Sequence, residues 1–404
     1  MTQAVFIIGL FVACIDRTGG MPGGDAAVPE PAFYRELSET AARMGIDLYV
    51  FSPEQFRGGE LFGYRWRRSR WVLDKVPFPD IVYDRCYYTS AGQRKACKLT
   101  LAAIRARKPH RLLSGGNLPS KWEVYKLLAA DAPVAGLLPP TAKVRSADQL
   151  LAALAKYREG LFLKPAAGMQ GKGTLLVRRD KESNGIAVDG RTRANKPFSL
   201  LFNGEAEWKQ WISAFIGETP YIVQPYLKLA MPDGRSFDIR VLLQKDGSGR
   251  FAVTGQAARV GKAGSITSNL HGGGSASDAA KLLNEAFGRK IGGEISAQMN
   301  DISEYIAHRL ENRYGRFAEL GFDYGIADGG KLWLLEVNSK PGRSAFGQLN
   351  DGTAAALSIE RPLLYARLLN SRQAPSYMLR RSANGRRLYS TPYMSLKTRR
   401  PSAR

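Results

Sequence analysis

Apolar runs that alternate with amphipathic segments dominate the first 115 residues. The run AVFIIGLFVACI is too short to span a bilayer, and no lysine or arginine precedes it as in a signal peptide, so it predicts a buried strand. The elements predicted after it are a Gly-rich loop (DRTGGMPGGD), a helix (EPAFYRELSETAARMG), strands at IDLYVFS and PDIVYDRCYY, and a helix (AGQRKACKLTLAAIRAR). This order is typical of an open α/β sheet.

Two amphipathic segments predict helices beyond residue 116. SKWEVYKLLAA begins on Ser120, with Glu123 three residues later at the spacing of a capping box. SADQLLAALAKY follows as a second helix. The pattern then changes to strand, loop and strand in GLFLKPAAGMQGKGTLLV.

The loop of this last segment carries candidate phosphate chemistry. Lys164 ends the first strand, and Gly168, Gly171 and Gly173 lie in the loop. Glycines allow a backbone to approach a ligand and turn its N–H groups inward, which together with a lysine can hold a phosphate. The loop is not a Walker A motif, because no Gly-Lys-Ser/Thr opens a helix here. An ordinary glycine hairpin is the alternative.

A polar pair interrupts the apolar run LWLLEVNSKPGR. Strand alternation predicts that Leu334, Glu336 and Asn338 share one face, opposite Trp333, Leu335 and Val337. The strand-like GFDYGI precedes it, joined by ADGGK. If Gly329 and Gly330 form a two-residue turn, Asp323 lies directly opposite Glu336.

Two carboxylates in this arrangement favour a cation between them. Opposed residues have Cβ atoms about 4.5–5.5 Å apart, where like charges repel. Asp323, Glu336 and Asn338 offer hard oxygen ligands that suit Mg²⁺ held jointly with substrate phosphates, with Mn²⁺ as an alternative ion. An edge hairpin whose acids face water is the other interpretation.

The charge balance favours anionic partners. The 404 residues include 59 Lys and Arg against 36 Asp and Glu, a net charge of +23. The three cysteines form no C-x-x-C pair, so neither a disulfide framework nor a cysteine metal site is indicated, and a reducing cytoplasm fits. Residues 371–404 hold nine Lys or Arg, no acid and no apolar periodicity, which predicts a poorly ordered basic tail that binds an anionic polymer or surface.

Five motifs, in order, resemble those of ATP-grasp ligases. They lie between residues 117 and 345 and are SKWEVYKLL, LFLKP with its glycine loop, YIVQPYL, FDIRVLLQ and GFDYGI…LWLLEVNSKPG. The step from Asp323 to Glu336 matches the interval between the metal-binding acids of that superfamily. KWEVYKLL, the segment from FDIRVLLQ to SNLHGGG and the long N-terminal region look most like the YheC/YheD family, described as endospore coat-associated.

This resemblance implies roles for individual residues in binding ATP. Lys121 and Lys164 match two phosphate-contacting lysines, and the segment from Gly168 through Gln170 and Gly171 to Gly173 matches a loop that closes over the triphosphate. Gln224, Tyr226 and Leu227 match the hinge that holds adenine. The commonest pattern has Glu at the position of Gln224, whose amide can still meet the adenine amino group.

The resemblance also implies a catalytic set. Arg240 and Arg259 match basic residues near the transferring phosphate, and Asn269 matches a residue beside the acceptor site. Arg240 lies on the strand face opposite Ile239 and Val241, and Asp238 on the same face is expected to orient it. His271 is a candidate base for an amine, or a substrate contact, or an exposed loop residue.

The sequence thus predicts an ATP-grasp fold of mixed α/β class. The predicted parts are an N-terminal open α/β domain (1–115), a central lid (116–205), a C-terminal antiparallel-sheet domain with the metal site (206–370) and the basic tail. The implied reaction is ATP-dependent activation of a carboxylate through an acyl phosphate, followed by amide formation with an amine. The expected location is cytoplasmic, with spore association implied by the resemblance.

Two alternatives to a ligase stay open. A spore-coat or scaffold protein that binds ATP without turnover would bind nucleotide and metal but release no phosphate. A nucleic-acid-binding protein would bind DNA in a salt-sensitive way through its basic residues, although no DNA-reading motif is present.

Overall fold

Three large sheets, each with its own helices, form the part of the chain that the structure describes. This computed structural model describes residues 6–17, 26–168, 170–229, 234–262, 274–349 and 351–371. The predictions for Asn269, for His271 and for the tail beyond residue 371 fall outside these ranges. Among the described residues, no helix combines the length and the apolar character needed to cross a bilayer.

The N-terminal region folds around a seven-stranded mixed sheet. Its strands and helices are β1 (Phe6–Phe11), β2 (Asp16–Arg17), β3 (Ala26–Ala27), α1 (Pro31–Arg43), β4 (Ile46–Phe51), β5 (Phe56–Arg57), β6 (Glu60–Arg67), β7 (Arg70–Lys75), β8 (Ile81–Asp84), α2 (Ala91–Arg107) and β9 (Arg111–Leu112). The sheet order is β5-β6-β4-β1-β8-β9, with β7 paired to β6, and β2 pairs separately with β3. β1 runs parallel to β4 and β8, which confirms the predicted open α/β sheet.

The hairpin of β6 and β7 was not predicted. It extends the sheet antiparallel beyond β4. Arg68 and Ser69 form its turn with φ values of 49° and 61°. Gly or Asn normally marks such a left-handed turn, so an Arg-Ser pair hides the hairpin from sequence patterns.

The central region folds as a six-stranded antiparallel sheet with helices. Its elements are α3 (Lys121–Ala129), α4 (Ala132–Ala135), β10 (Ala142–Lys143), α5 (Ala147–Lys156), β11 (Leu161–Pro165), β12 (Leu175–Arg179), β13 (Ile186–Arg191), β14 (Pro197–Phe202), α6 (Glu205–Ile216) and β15 (Tyr221–Pro225). The sheet order is β10-β15-β11-β12-β13-β14. Ser120 caps α3 as predicted, accepting the Glu123 N–H at 3.4 Å. Apolar residues of α5 and α6 cover one face of this sheet.

The C-terminal region has a five-stranded antiparallel sheet. Its elements are β16 (Phe237–Lys245), β17 (Phe251–Val260), β18 (Ser275–Asp278), α7 (Ala279–Tyr314), β19 (Glu319–Ile326), β20 (Leu332–Asn338) and α8 (Thr353–Ser371). The order is β18-β17-β16-β19-β20. α7 is interrupted at Gly288, whose backbone is not helical. Residues of α3 and α7 pack on one face of this sheet, and the other face carries the candidate site.

The last helix packs into the core of the first sheet. Ile359 and Leu363 of α8 share an apolar cluster with Phe33 and Leu37 of α1 and with β1. Cys97 and Ile104 of α2 pack on the opposite face. The predicted domain limits stay a prediction, and the contacts group α8 with the N-terminal core although it is far away in sequence.

Candidate functional site

A cavity of about 220 Å³ lies between the central and C-terminal sheets. It brings together predicted site residues from seven separate segments of the chain. The predicted residues that line it are Lys121, Lys164, Gly168, Gln170, Gly171, Gln224, Tyr226, Leu227, Arg240, Arg259, Asp323, Glu336 and Asn338. Gly173, the last glycine of the loop, does not line the cavity. Its carbonyl accepts a hydrogen bond from the Tyr221 hydroxyl at 2.8 Å. The roles of all these residues stay predictions.

Strand alternation on β16 separates core from site. Phe237, Ile239 and Val241 belong to the apolar cluster on one face. Asp238 and Arg240 point to the other face and line the cavity. The predicted placement of Arg240 opposite Ile239 and Val241 therefore agrees with the structure.

Charged residues alternate across three neighbouring strands of the site. Arg259 of β17 lies opposite Asp238 of β16, and Arg240 of β16 lies opposite Asp323 of β19. Asp238 accepts from Arg259 Nε at 2.6 Å, so this acid orients Arg259, and its expected role in orienting Arg240 stays a prediction. Arg240 donates through Nη2 to Asp323 at 3.0 Å. Opposite charges at directly paired positions stabilise each other.

Asp323 is the centre of this charge pattern. Its Oδ2 also accepts from Arg259 Nη2 at 3.1 Å and from the Asn338 amide at 3.4 Å. Burial alone would raise the pKa of Asp323, but the charges of Arg240 and Arg259 outweigh it and hold that pKa well below its usual value. The carboxylate therefore stays ionised at the mouth of the cavity.

Asp323 pairs with Glu336 as predicted, but the turn between their strands differs from the predicted two-residue turn. The turn has three residues, Asp328–Gly330, with Ala327 donating its N–H to Lys331 at 2.9 Å. A bulge between Asp323 and Tyr324 on the ladder then shifts the register by one residue. The longer turn and the bulge compensate each other, so Asp323 still faces Glu336.

The same bulge corrects the predicted faces of β20. Leu334 pairs with Tyr324 and belongs with Leu332 to the apolar core. Leu335 instead lines the cavity with Glu336 and Asn338. The prediction that Leu334 shares the face of Glu336 is wrong, because the extra residue reverses the alternation at that point.

Lys121 connects three parts of the site from the first turn of α3. Its Nζ donates to Glu336 Oε1 at 2.7 Å and to the Gly168 carbonyl at 3.0 Å. One cation therefore holds the acid of β20 against the glycine loop. Sequence spacing offers no sign of this pair, since the partners are 215 residues apart.

Lys164 lies deeper, at the end of β11. Its Nζ donates to the Leu335 carbonyl at 3.2 Å. Burial lowers the pKa of Lys164 to about 8, although Glu336 partly opposes the shift. An anion that enters the cavity would hold this amine in its charged form.

The glycine loop has the backbone that its sequence predicts. Gln170, Gly171 and Gly173 have φ values of 60°, 72° and 72°. A side chain on Gly173 would place its Cβ 2.8 Å from the Tyr221 hydroxyl. Lys172 in this loop also lines the cavity and was missed, because a single exposed-type lysine carries no periodic signal.

Part of the cavity lining is apolar. Phe162 of β11, Leu229 beyond β15 and Leu335 of β20 line it beside the segment Gln224–Leu227. An apolar slot with a few polar groups suits a flat ring system such as a nucleobase. These apolar residues were not predicted as site residues, since sequence alone cannot separate a slot from a core.

A comparison with known protein families covers all the segments that line the cavity. A family model described as YheC/D like ATP-grasp matches residues 111–369, more than half of the chain. The chain belongs to this ATP-grasp family. It is 28% identical over 323 residues to "Endospore coat-associated protein YheC" of Bacillus subtilis (strain 168), covering 78% of this chain and 86% of that protein. It is 27% identical over 383 residues to "Endospore coat-associated protein YheD" of the same strain, covering 92% and 80%.

Solved structures support the fold of this family member. The D-cycloserine synthetase DcsG superposes with a TM-score of 0.50 at 16% identity, covering 91% of this chain and 99% of DcsG. The ATP-grasp ligase PsnB, complexed with a minimal precursor, superposes with a TM-score of 0.52 at 15% identity, covering 91% and 100%. The predicted ATP-grasp fold of mixed α/β class is confirmed.

Proposed function

We propose that this ATP-grasp protein is a ligase that uses ATP to join a carboxylate to an amine. One observation carries the proposal: three lysines, two arginines and a carboxylate-carboxylate-amide set converge on a single cavity whose lining is partly apolar. Transfer of a phosphoryl group requires positioning and charge neutralisation more than covalent help from the protein. This distribution of charge meets both requirements.

The proposed orientation of ATP follows from the apolar and the charged parts of the cavity lining. Adenine lies between Phe162 and Leu335, beside the Gln224–Leu227 segment, and the phosphates extend towards Lys121 and Lys164. The loop around Gly171 covers them with its backbone N–H groups. Arg240 and Arg259 then face the γ-phosphate.

The residues opposite the phosphates fit Mg²⁺. Asp323, Glu336 and Asn338 present two carboxylates and an amide, and hard oxygen ligands of this kind suit that ion. The described residues contain no group of three His, Cys, Asp or Glu side chains that could hold a metal alone. Phosphate oxygens and waters would supply the remaining ligands. When bound, Mg²⁺ neutralises charge on the phosphates.

The chemistry proceeds in two steps. An oxygen of the substrate carboxylate attacks the γ-phosphorus, the bond to the β-phosphate oxygen breaks, and ADP leaves with an acyl phosphate formed. The amine then attacks the acyl carbon, phosphate leaves, and the nitrogen loses a proton to give the amide. Arg240 and Arg259 stabilise the negative charge that develops on the transferring group.

A coat protein that binds ATP without turnover is the second candidate function. The names of both B. subtilis relatives support it, since they describe endospore coat-associated proteins. We propose that this chain also associates with the spore coat. Binding of an anionic polymer by residues 371–404 and a cytoplasmic location also stay proposals.

Phosphate release distinguishes the ligase from the coat protein. Purified protein with ATP and Mg²⁺ is screened against amino acids, peptides and acidic cell-wall or coat fragments, and hydroxylamine is added to trap an acyl phosphate as a hydroxamate. We expect phosphate release that depends on one carboxylate, with hydroxamate in place of amide. Tight ATP binding with neither product across the screen would favour the coat protein.

A further inference from the structure

Thr141 occupies a fixed position beside Gln224, one of the residues that line the cavity. It directly precedes β10, whose Ala142 pairs with Val223 of β15, so Thr141 lies next to Gln224 across the ladder. Its backbone N–H donates to the Tyr125 hydroxyl at 3.2 Å. Thr141 is therefore held by both its strand and α3, and it was absent from the predicted site.

The hydrogen bonds of Thr141 determine which way the Gln224 amide faces. The Thr141 hydroxyl donates its only proton to the Pro139 carbonyl at 2.8 Å. Gln224 Nε2 lies 2.8 Å from the same hydroxyl oxygen. Because that oxygen has no second proton to give, only an N–H group of Gln224 can complete the contact. Partner chemistry thus assigns the two ends of the amide.

This arrangement leaves the Gln224 oxygen for a ligand. Gln224 is 8% exposed and lines the cavity. With Nε2 committed to Thr141, the Oε1 atom is an acceptor without a proton of its own. A base with an amino group at this point would donate to it, whereas a base with an oxo group would place oxygen against oxygen.

We propose that Thr141 is a positioning residue that makes the site select a 6-amino purine over a 6-oxo purine. It acts through Gln224 by preventing the amide from turning its NH₂ group towards the base. The inference rests on the proposed ATP site. Without the Thr141 hydroxyl, the Gln224 amide can rotate. It can then accept a hydrogen bond from an amino group or donate one to an oxo group.

The expected size of the selection follows from the cost of an unpaired buried polar group. Such a group weakens binding by roughly tenfold to a hundredfold. A flipped amide would relieve that cost for the oxo base but would break the bond to Thr141. Replacement of Thr141 should therefore reduce selectivity more than it reduces affinity for ATP.

The test compares ATP with inosine triphosphate, which carries an oxo group where ATP carries the amino group. Dissociation constants are measured for the wild type, Thr141→Val and Thr141→Ser, with Mg²⁺ present. Selectivity is expressed as the dissociation constant for inosine triphosphate divided by that for ATP. We expect Thr141→Val, which is nearly isosteric, to lower this ratio about tenfold. Thr141→Ser keeps the hydroxyl and should retain the wild-type ratio.

A second background separates positioning from a structural role. In Gln224→Glu, both terminal atoms of the side chain are acceptors, so ATP should stay preferred, and adding Thr141→Val should leave the ratio within about twofold. An equal loss of both nucleotides in Thr141→Val, or a tenfold change in the Gln224→Glu background, overturns the inference. If ATP binds normally and only the ratio fails to move, Thr141 alone is misassigned. If no nucleotide binds to the wild type, the proposed function fails with it.

Discussion

β19 carries two buried carboxylates four residues apart, each held by two arginines, in very different surroundings. Glu319 is 1% exposed and accepts from Tyr83 at 2.7 Å, from Arg85 Nη1 at 2.9 Å and from Gln244 at 3.1 Å, besides its pair with Arg343. Asp323 is 8% exposed, and its arginines line the cavity with it. Gly321 lies between the two acids, where a Cβ would approach Pro341 to 2.7 Å.

We propose that the difference separates a structural ion pair from a functional one. The partners of Glu319 come from β8 and the residue after it, from β16 and from the loop after β20, so they join the N-terminal and C-terminal sheets. The partners of Asp323 line the cavity. Under the proposed function, the enclosed charges serve stability and those that line the cavity serve binding.

The largest effect is expected from Glu336→Gln on the cavity side. The change keeps shape and removes the charge opposite Asp323, so phosphate release should fall by at least about a thousandfold. The free energy of unfolding should change by less than about 1 kcal/mol, since the side chain is partly exposed. Turnover and denaturant unfolding are measured on one preparation in excess Mg²⁺. Unchanged turnover would remove Glu336 from the metal set.

Glu319→Gln tests the enclosed side of the comparison. Removing this charge leaves Arg85 and Arg343 incompletely paired, and the free energy of unfolding should fall by about 3 kcal/mol. The dissociation constant for ATP, measured on folded protein, should stay within about twofold of the wild-type value. A large loss of ATP affinity with unchanged stability would reverse the assignments of the two acids.

Lys164→Met should weaken ATP binding by about tenfold to a hundredfold, because one charge-assisted contact to phosphate is lost. Binding of adenosine should hardly change, since it carries no phosphate. Both constants are measured by calorimetry, with Lys126→Met as the matched control on exposed surface. Equal losses for the two ligands would mean that Lys164 does not lie at the phosphates.

The smallest effect is the pH dependence of the Glu319 pair. Burial raises the pKa of Glu319, but Arg343 and Arg85 outweigh it, so the pKa is lowered overall. Its stabilisation is complete above the unfolded-state pKa of about 4.3 and is lost as pH falls through the folded-state value. The stability difference between wild type and Glu319→Gln should shrink below about pH 4, by at most about 1.4 kcal/mol per unit. A difference that grows on acidification would contradict this sign.

Local patterns were sufficient to predict several elements of the site. The alternation in FDIRVLL places Arg240 correctly, and Ser120 caps the helix that carries Lys121. All five motifs lie within residues 111–369, the segment that the family model matches. These features depend on residues within a few positions of each other, where periodicity and capping chemistry act.

Features that depend on distant partners could not be predicted. The bulge that puts Leu335 in the cavity is set by the ladder with β19, and no residue of LWLLEVN marks it. The Lys121–Glu336 pair, the enclosure of Glu319 and the Thr141–Gln224 contact each join segments brought together only by the fold. Long-range packing decides these contacts, and single-sequence patterns contain little information about it.

The packing of α8 on the first sheet has a consequence for biosynthesis. A ribosome completes β1 and α1 long before it makes Ile359 and Leu363, which close their apolar face. Arg85 can pair at once with Glu30, but its second carboxylate partner, Glu319, is made 234 residues later. Before α8 is made, the N-terminal region therefore has an uncovered hydrophobic surface. Such partly folded intermediates expose apolar residues, so we expect this region to reach its final stability only after α8 has been synthesised.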